Sequence, residues 1–494
     1  MTRLSKWRQL PNEHFSSHPQ NFESSKGAIM TELGIVADDV TGGTTVGALL
    51  AREGIEPTLC YDARTMADIV GPDENVIITS TDSRAMKPEA AYKTVREATQ
   101  SLLSLGATQF SKRIDTTMRG SIGSEVEGML SALDDDYVAL VVPAMPQSKK
   151  VMIGGYLLID SIPLAMTDVA HDVRTPVVLS DVRDLVQSQM QQEVAYVPVD
   201  DVVLGAHTIA AQLLLQRSRG CRVFVIDAAT LEEIQWIADA VVDLGWKVVA
   251  VDPGPFTLAL ARRHRSICPS SRPDRSIRTE ASEFDNGIVL TCAGSATKTT
   301  RMQMMRLSAE PGTVVLSVDP IKLISNQPLV SSKEMQRVEE QAKRIFSPGS
   351  TLPRVLLLAV DNALEDKLPA KPDELTKISG LPAEEASNLI TEKFSEVART
   401  VANIVSPERC AGFYLTGGDT TVRFCKAIDA QGLHMVDYLI PQVDQSIIVG
   451  GPFSGTPVIC KGGLTGVEET SLQVVNRLFD EQHVQVNQSE KATV

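Results

Sequence analysis

Aromatic residues make up only 4% of the 494-residue chain, and just three of them are Trp. Proteins that grip single-stranded nucleic acid use aromatic platforms for the bases, so this class is disfavoured. Cysteine is scarce and scattered, at positions 60, 221, 268, 292, 410, 425 and 460, with no CxxC pair. That pattern fits reduced, mostly buried thiols in a cytoplasmic protein, not a disulfide framework or a zinc site. No run of 18 apolar residues exists, so no membrane-spanning helix is expected. The first thirty residues lack the apolar centre of a signal peptide and are expected to form a disordered tail, with Met30 as an alternative start. No GxxxxGK[S/T] sequence is present, which excludes a P-loop enzyme, and no GxGxxG follows the first apolar run. The seven His residues form no ligand-spaced cluster.

The charge is equally one-sided. A formal charge of −15 repels nucleic acid and anionic lipid, so neither is expected as a partner. An anionic small molecule would need a local basic pocket set against that field.

Hydrophobic residues (43%) and charged residues (22%) stand at ordinary globular levels. Apolar strand-like runs alternate with amphipathic helical stretches along most of the chain. Leu33 to Ala37, Val76 to Thr79, Thr108 to Lys112 and Tyr137 to Val142 read as strands, with helices over Pro88 to Leu105 and Ile122 to Leu133. A second series opens at Ile288 to Cys292 and closes with a helix over Val467 to Leu478. This alternation predicts an α/β chain of two domains, each a mostly parallel sheet flanked by helices, with a site in the cleft between them. The expected boundaries are a tail at 1–30, a first domain at 31–264, a Pro/Ser-rich linker at 265–286, a second domain at 287–482 and a tail at 483–494.

Ligands of open α/β sheets bind beyond the carboxyl ends of the strands, and several polar clusters fall there. Asp38 and Asp39 follow the first strand and precede Thr41-Gly42-Gly43-Thr44-Thr45, read as a loop opening a helix. Such carboxylates can accept a hydroxyl proton, or one can simply cap the helix. Arg84 follows another strand and can hold a carboxylate by two parallel hydrogen bonds, or form a surface ion pair. Lys112, Arg113, Asp115, Thr116, Thr117 and Arg119 crowd a third strand end. Cations with one carboxylate suit phosphorylation of a hydroxy acid: the cations neutralise substrate and phosphate, and the acid takes the hydroxyl proton. In the second series, Gly294-Ser295, Gly417-Gly418-Asp419-Thr420 and Lys461-Gly462-Gly463 are turns whose backbone can approach a nucleotide closely.

Ile35 to Gly42, Lys112 to Gly123, Gly294 to Arg301 and Gly417 to Thr420 together resemble the motifs of the four-carbon acid sugar kinases, in order and spacing from about residue 32 to 480. The resemblance implies a sugar-acid domain followed by a nucleotide domain. It implies ATP-dependent phosphorylation, with Mg²⁺, of the 4-hydroxyl of a tetronate: D-threonate first, or erythronate or 3-oxo-tetronate. The implied substrate contacts are Asp38, Asp39, Thr44, Arg84, Lys112, Arg113, Ile114, Asp115 and Arg119, with Asp39 or Asp115 as the base. The implied ATP contacts are Ser295, Gly417, Gly418, Asp419, Thr420 and Gly463; metal ligands are unassigned. A homodimer is left open. The sequence departs from the family pattern at Thr44-Thr45, at Pro143 to Gln147, and at Lys461, where Gly462 follows directly. These departures leave open a relative of the same fold that binds sugar acid or nucleotide without transfer. A dinucleotide oxidoreductase would share the alternation but lacks its fingerprint.

Overall fold

The computed structural model describes residues 31–71, 74–172, 174–264, 267, 287–294, 296–365 and 370–491, the side chains of 481–491 excepted. The expected N-terminal tail and nearly all of the expected linker lie outside these residues, as does Ser295.

In the first half the strands are β1 (Leu33–Ala37), β2 (Thr58–Cys60), β3 (Val76–Ser80), β4 (Gln109–Arg113), β5 (Tyr137–Val141), β6 (Val194–Val197), β7 (Val223–Ile226) and β8 (Lys247–Asp252). In the second they are β9 (Ile288–Ala293), β10 (Thr313–Val318), β11 (Val355–Val360), β12 (Cys410–Thr416), β13 (Gly432–Ile440), β14 (Val443–Val449) and β15 (Pro457–Lys461). Most are apolar on both faces, as strands covered by helices on each side must be.

Two separate sheets were expected. The strands instead form one continuous sheet of fifteen, in the order β10-β11-β9-β12-β15-β14-β13-β2-β3-β1-β4-β8-β5-β7-β6. Two parallel arrays are joined by the antiparallel hairpin β13–β14, whose first strand adds to the edge strand β2. Each array alone would leave an exposed edge, and the pairing Gly432–Cys60, Leu433–Leu59 and His434–Thr58 covers both. Bulges between Met435 and Asp437 and between Tyr438 and Ile440 bend the hairpin. A small antiparallel sheet of Lys150–Ile153, Tyr156–Ile159 and Ile162–Pro163, absent from the sequence reading, projects beyond β5.

The helix α1 (Val40–Ala51) sits between the halves, and ten of its twelve residues are buried. Its small residues are the reason. A Cβ on Gly43 would lie 2.6 Å from Leu59 of the first half, and one on Gly47 would lie 2.6 Å from Met435 of the second. The segment read as a loop after Asp39 is therefore helical from Val40. Glycine is poor in helices, and here close approach from two sides offsets that cost. The last helix runs over Thr470–Lys491, so the expected tail from 483 continues the helical backbone to 491.

His434 locks the seam. Its Nε2 lies 3.4 Å from Glu56 and its Nδ1 3.7 Å from Glu74, both from the first half. The hydrogen bonds to Glu56 and then Glu74 outweigh burial and raise its pKa from 6.5 to about 9. A raised folded-state pKa stabilises fully below the unfolded value of 6.5, and the gain is lost as pH rises through about 9. With its side chain 28% exposed, the ion-pair share is worth about 1–2 kcal/mol after screening. Urea titrations of wild type and His434→Ala are expected to differ by that much more at pH 6 than at pH 10; a gap independent of pH would rule the lock out.

Candidate active site

Asp38 and Asp39 leave the carboxyl end of β1. Asp39 caps α1, its Oδ1 accepting from the Gly42 N–H at 2.7 Å. Arg84, just beyond β3, donates from Nε to Asp38 at 2.8 Å, and its Nη1 lies 2.8 Å from Asp39. Arg113, the last residue of β4, reaches Asp38 at 3.1 Å and Asp39 at 3.3 Å. Arg84 also lies 3.6 Å from Asp115, which Arg119 grips through Nε at 2.9 Å and Nη2 at 3.1 Å. A basic pocket was expected. Three arginines instead meet four aspartates in one network, the fourth being Asp172 at 3.3 Å from Arg119 Nη1, and Arg119 and Asp39 keep side chains 31% and 22% exposed.

The carboxylates are not equivalent. Burial pushes Asp115 up, but Arg84, Arg119 and the Thr117 hydroxyl together hold it far below the usual carboxylate range. Asp38 is likewise held low, because Arg84, Arg113 and Lys112 outweigh its burial. Asp39 is raised by burial and by the neighbouring charge of Asp38. Of the two candidate bases, Asp39 has the greater proton affinity.

Two predicted substrate contacts point elsewhere. Lys112 stands on the opposite face of β4 from Arg113, is 0% exposed, and pairs at 2.7 Å with Glu125 of α2 (Ile122–Leu130). The Ile114 side chain belongs to the apolar core of the first half. Thr44 is buried, donates to the Thr41 carbonyl at 3.0 Å, and lies within hydrogen-bonding reach of Asp444. The sequence reading missed Lys150, a half-buried lysine whose charge interacts with Asp115, Asp160 and Arg113 and which has no ion-pair partner within 4 Å among the described residues. Beside Arg84 opens a cavity of about 420 Å³, lined also by Lys87, Met118, Gly120, Ser121 and Arg174.

The second half brings its turns to the same place. Gly417 has φ 100° and opens α4 (Gly418–Ala427), whose first turn has no side-chain cap. A Cβ on Gly418 would lie 2.5 Å from the Thr41 hydroxyl, so α4 starts against the start of α1. A Cβ on Gly294 would lie 2.5 Å from the Thr420 hydroxyl, which ties the β9 turn to α4. The Gly463 carbonyl accepts from Thr297 and Thr300, at the start of α3 (Lys298–Ser308). Asp419 is exposed. Side-chain-free backbone and two helix N-termini are what an oligophosphate needs, so these residues fit a nucleotide. Lys461 adds to the fit: it is 2% exposed, and among the described residues its ammonium reaches the Gly462 and Thr465 carbonyls.

Residues 33–260 match the profile of a sugar-binding N-terminal domain, and 290–470 that of a nucleotide-binding C-terminal domain. A D-erythronate kinase of Heliobacterium modesticaldum is 35% identical over 91% of this chain and 98% of its own. The chain belongs to the four-carbon acid sugar kinase family. A D-threonate kinase of Salmonella typhimurium is 26% identical over 88% of this chain and 96% of its own. Crystal structures of proteins from Salmonella typhimurium and Haemophilus influenzae share the fold, at TM-scores of 0.71 and 0.67, with 21% and 20% identity. Each covers 90% of this chain, and 98% and 100% of its own. Among the described residues, no helix is long and apolar enough to cross a membrane.

The network predicts unequal costs for its arginines. Arg113→Met strands the 2%-exposed Asp38 carboxylate with one partner fewer and is expected to cost about 3–5 kcal/mol. Arg119→Met also takes a partner from a buried carboxylate, the 6%-exposed Asp115, but the 31%-exposed arginine leaves water a path to it, so the cost is expected to be smaller, about 2 kcal/mol. Chemical denaturation of both variants measures this, and equal losses would contradict it.

Proposed function

We propose that this member of the family phosphorylates the terminal hydroxyl of a four-carbon sugar acid, with D-erythronate first and its epimer D-threonate second. The observation that carries the reading is the uncapped start of α4 set against Thr41, two residues from Asp39. Phosphate at that helix start would stand beside the carboxylate network. The 35%-identical D-erythronate kinase supports the order of substrates.

ATP, when bound, supplies the phosphoryl group. The chain's own residues orient, neutralise and deprotonate. Arg119 and Lys150 present the open cationic faces for the acid's carboxylate. Asp39 accepts the hydroxyl proton, since its proton affinity exceeds that of Asp38 or Asp115. Asp115 fixes Arg84 and Arg119 and remains ionised. Gly417, Gly418, Thr420 and Gly463 hold the nucleotide at the ends of β12 and β15, and Lys461 offers a charge to its phosphates. Burial of α1 and α4 against each other excludes water from the transfer.

ADP release measured over erythronate, threonate and 3-oxo-tetronate tests this, with turnover expected for at least one. Asp39→Asn is expected to lower kcat by about 10²–10⁴-fold. In the wild type, kcat/KM is expected to fall on the acid side, with a midpoint above the ordinary carboxylate range because Asp39 is raised. Asp115→Asn is expected to act chiefly on KM. Tight sugar-acid binding without ADP release from any substrate would favour a binding-only relative.

A further inference from the structure

Magnesium that travels with a nucleotide keeps much of its water and takes one or two protein carboxylates beside the phosphates. Its protein signature is therefore a single carboxylate near the phosphate site, not a cluster. Among the described residues no group of three His, Cys, Asp or Glu side chains could hold a metal alone. The carboxylates of the network are already spoken for: Asp38, Asp39 and Asp115 each pair with arginine.

Asp444 differs. It lies on β14, second-half side of the seam, and is 3% exposed. Among the described residues no ion pair within 4 Å reaches it; the Thr44 hydroxyl is within hydrogen-bonding reach and the Arg113 charge acts on it from further off. Asp444 lines a small cavity of about 20 Å³ between the halves, where Thr41, Thr44, Thr421 and Gln442 bring oxygen donors and Val40 and Cys460 complete the wall. That volume suits one ion or water, not a metabolite. Gly418 lines the same cavity, so the uncapped start of α4 opens into it. Lys461, on the adjacent strand β15, lines it too, buried and, among the described residues, without an acidic partner. A buried carboxylate and a buried ammonium thus share one cavity without pairing with each other. Burial pushes the Asp444 carboxyl up to about 7 and the Lys461 ammonium down to about 8, so both groups become fully charged most readily when a cation arrives beside one and an anion beside the other.

We propose that Asp444 is the protein's carboxylate ligand for the divalent cation that accompanies the nucleotide, with Lys461 directed at the phosphate oxygens. The assignment rests on the kinase reading and deepens it. It gives the second half a metal-side contact that reaches across the seam to α1.

Calorimetry of ADP binding with Mg²⁺ and with a chelator tests it without turnover. Wild type is expected to bind the magnesium complex about tenfold or more tightly than free ADP. Asp444→Asn is expected to abolish that difference while keeping the affinity for free ADP; Lys461→Met is expected to weaken both. A metal-dependent gain that survives in Asp444→Asn, or one lost instead in Asp419→Asn, overturns the assignment and leaves the kinase reading intact. Wild type binding neither form overturns both. Should Asp444→Asn not fold, Fe²⁺ in place of Mg²⁺ with ADP, ascorbate and peroxide reports on the unaltered protein. Backbone scission mapped by mass spectrometry is expected around residue 444, and scission confined elsewhere refutes the assignment.

Discussion

The structure depends on one constraint: α1 must be covered from both sides at once. Its N-terminus holds Asp39 and faces α4, while its body packs on Leu59 of one half and Met435 of the other. A helix in that position has no solvent face for long side chains, so Gly42, Gly43 and Gly47 replace them. The same narrowness fixes the site. With α1 held by both walls, its capping carboxylate has one place to be, and the α4 turn is brought against it.

The charges follow from that confinement. Taking arginines and aspartates out of water costs several kcal/mol per ion, and near-neutral pairing offsets the cost. The network sets three arginines against four aspartates, Asp172 at its outer edge, and it spreads their proton affinities apart. Asp115 receives two arginines and a hydroxyl, whereas Asp39 shares its arginines with Asp38 and feels that neighbour's charge. Two carboxylates from similar motifs therefore come out with different chemistry, one an anchor and one a proton acceptor.

The sequence made the alternation of strand and helix plain, because strands covered on both faces are continuous apolar runs. Leu33 to Ala37 and the amphipathic helix read over Pro88 to Leu105 needed no tertiary information. The seam was invisible for the opposite reason. β13 carries His434, Asp437 and Tyr438 among its apolar residues, and its partner β2 has three residues. Their pairing depends on contacts far apart in the chain. The run after Asp39 reads as a loop because helix propensity penalises glycine, and only the two walls around α1 reverse that. In the third cluster, parity along β4 already separates Lys112 from Arg113: adjacent residues of a strand face opposite ways. Lys112 therefore turns to Glu125 in the interior. Lys150 and Asp444 carried no local motif, and their place beside the site comes from the projecting sheet and the bulged hairpin.

The departures from the family pattern that left a non-transferring relative open fall where the architecture absorbs them. At the first departure, the short side chain of Thr44 keeps α1 narrow while bringing a hydroxyl to Asp444. Another is the loop in which Gly462 directly follows Lys461. Its shape is held from outside, because Thr297 and Thr300 bind the Gly463 carbonyl and Gln303 binds the carbonyls of Thr465 and Val467. The Gly417 N–H also donates to the Lys461 carbonyl at 2.8 Å, joining the two glycine turns directly. A loop that had lost its phosphate would have no need of a buried lysine, since that charge costs free energy without an anion to answer it. The buried Lys461 therefore weighs toward a nucleotide phosphate at this loop, and against a relative that binds sugar acid alone.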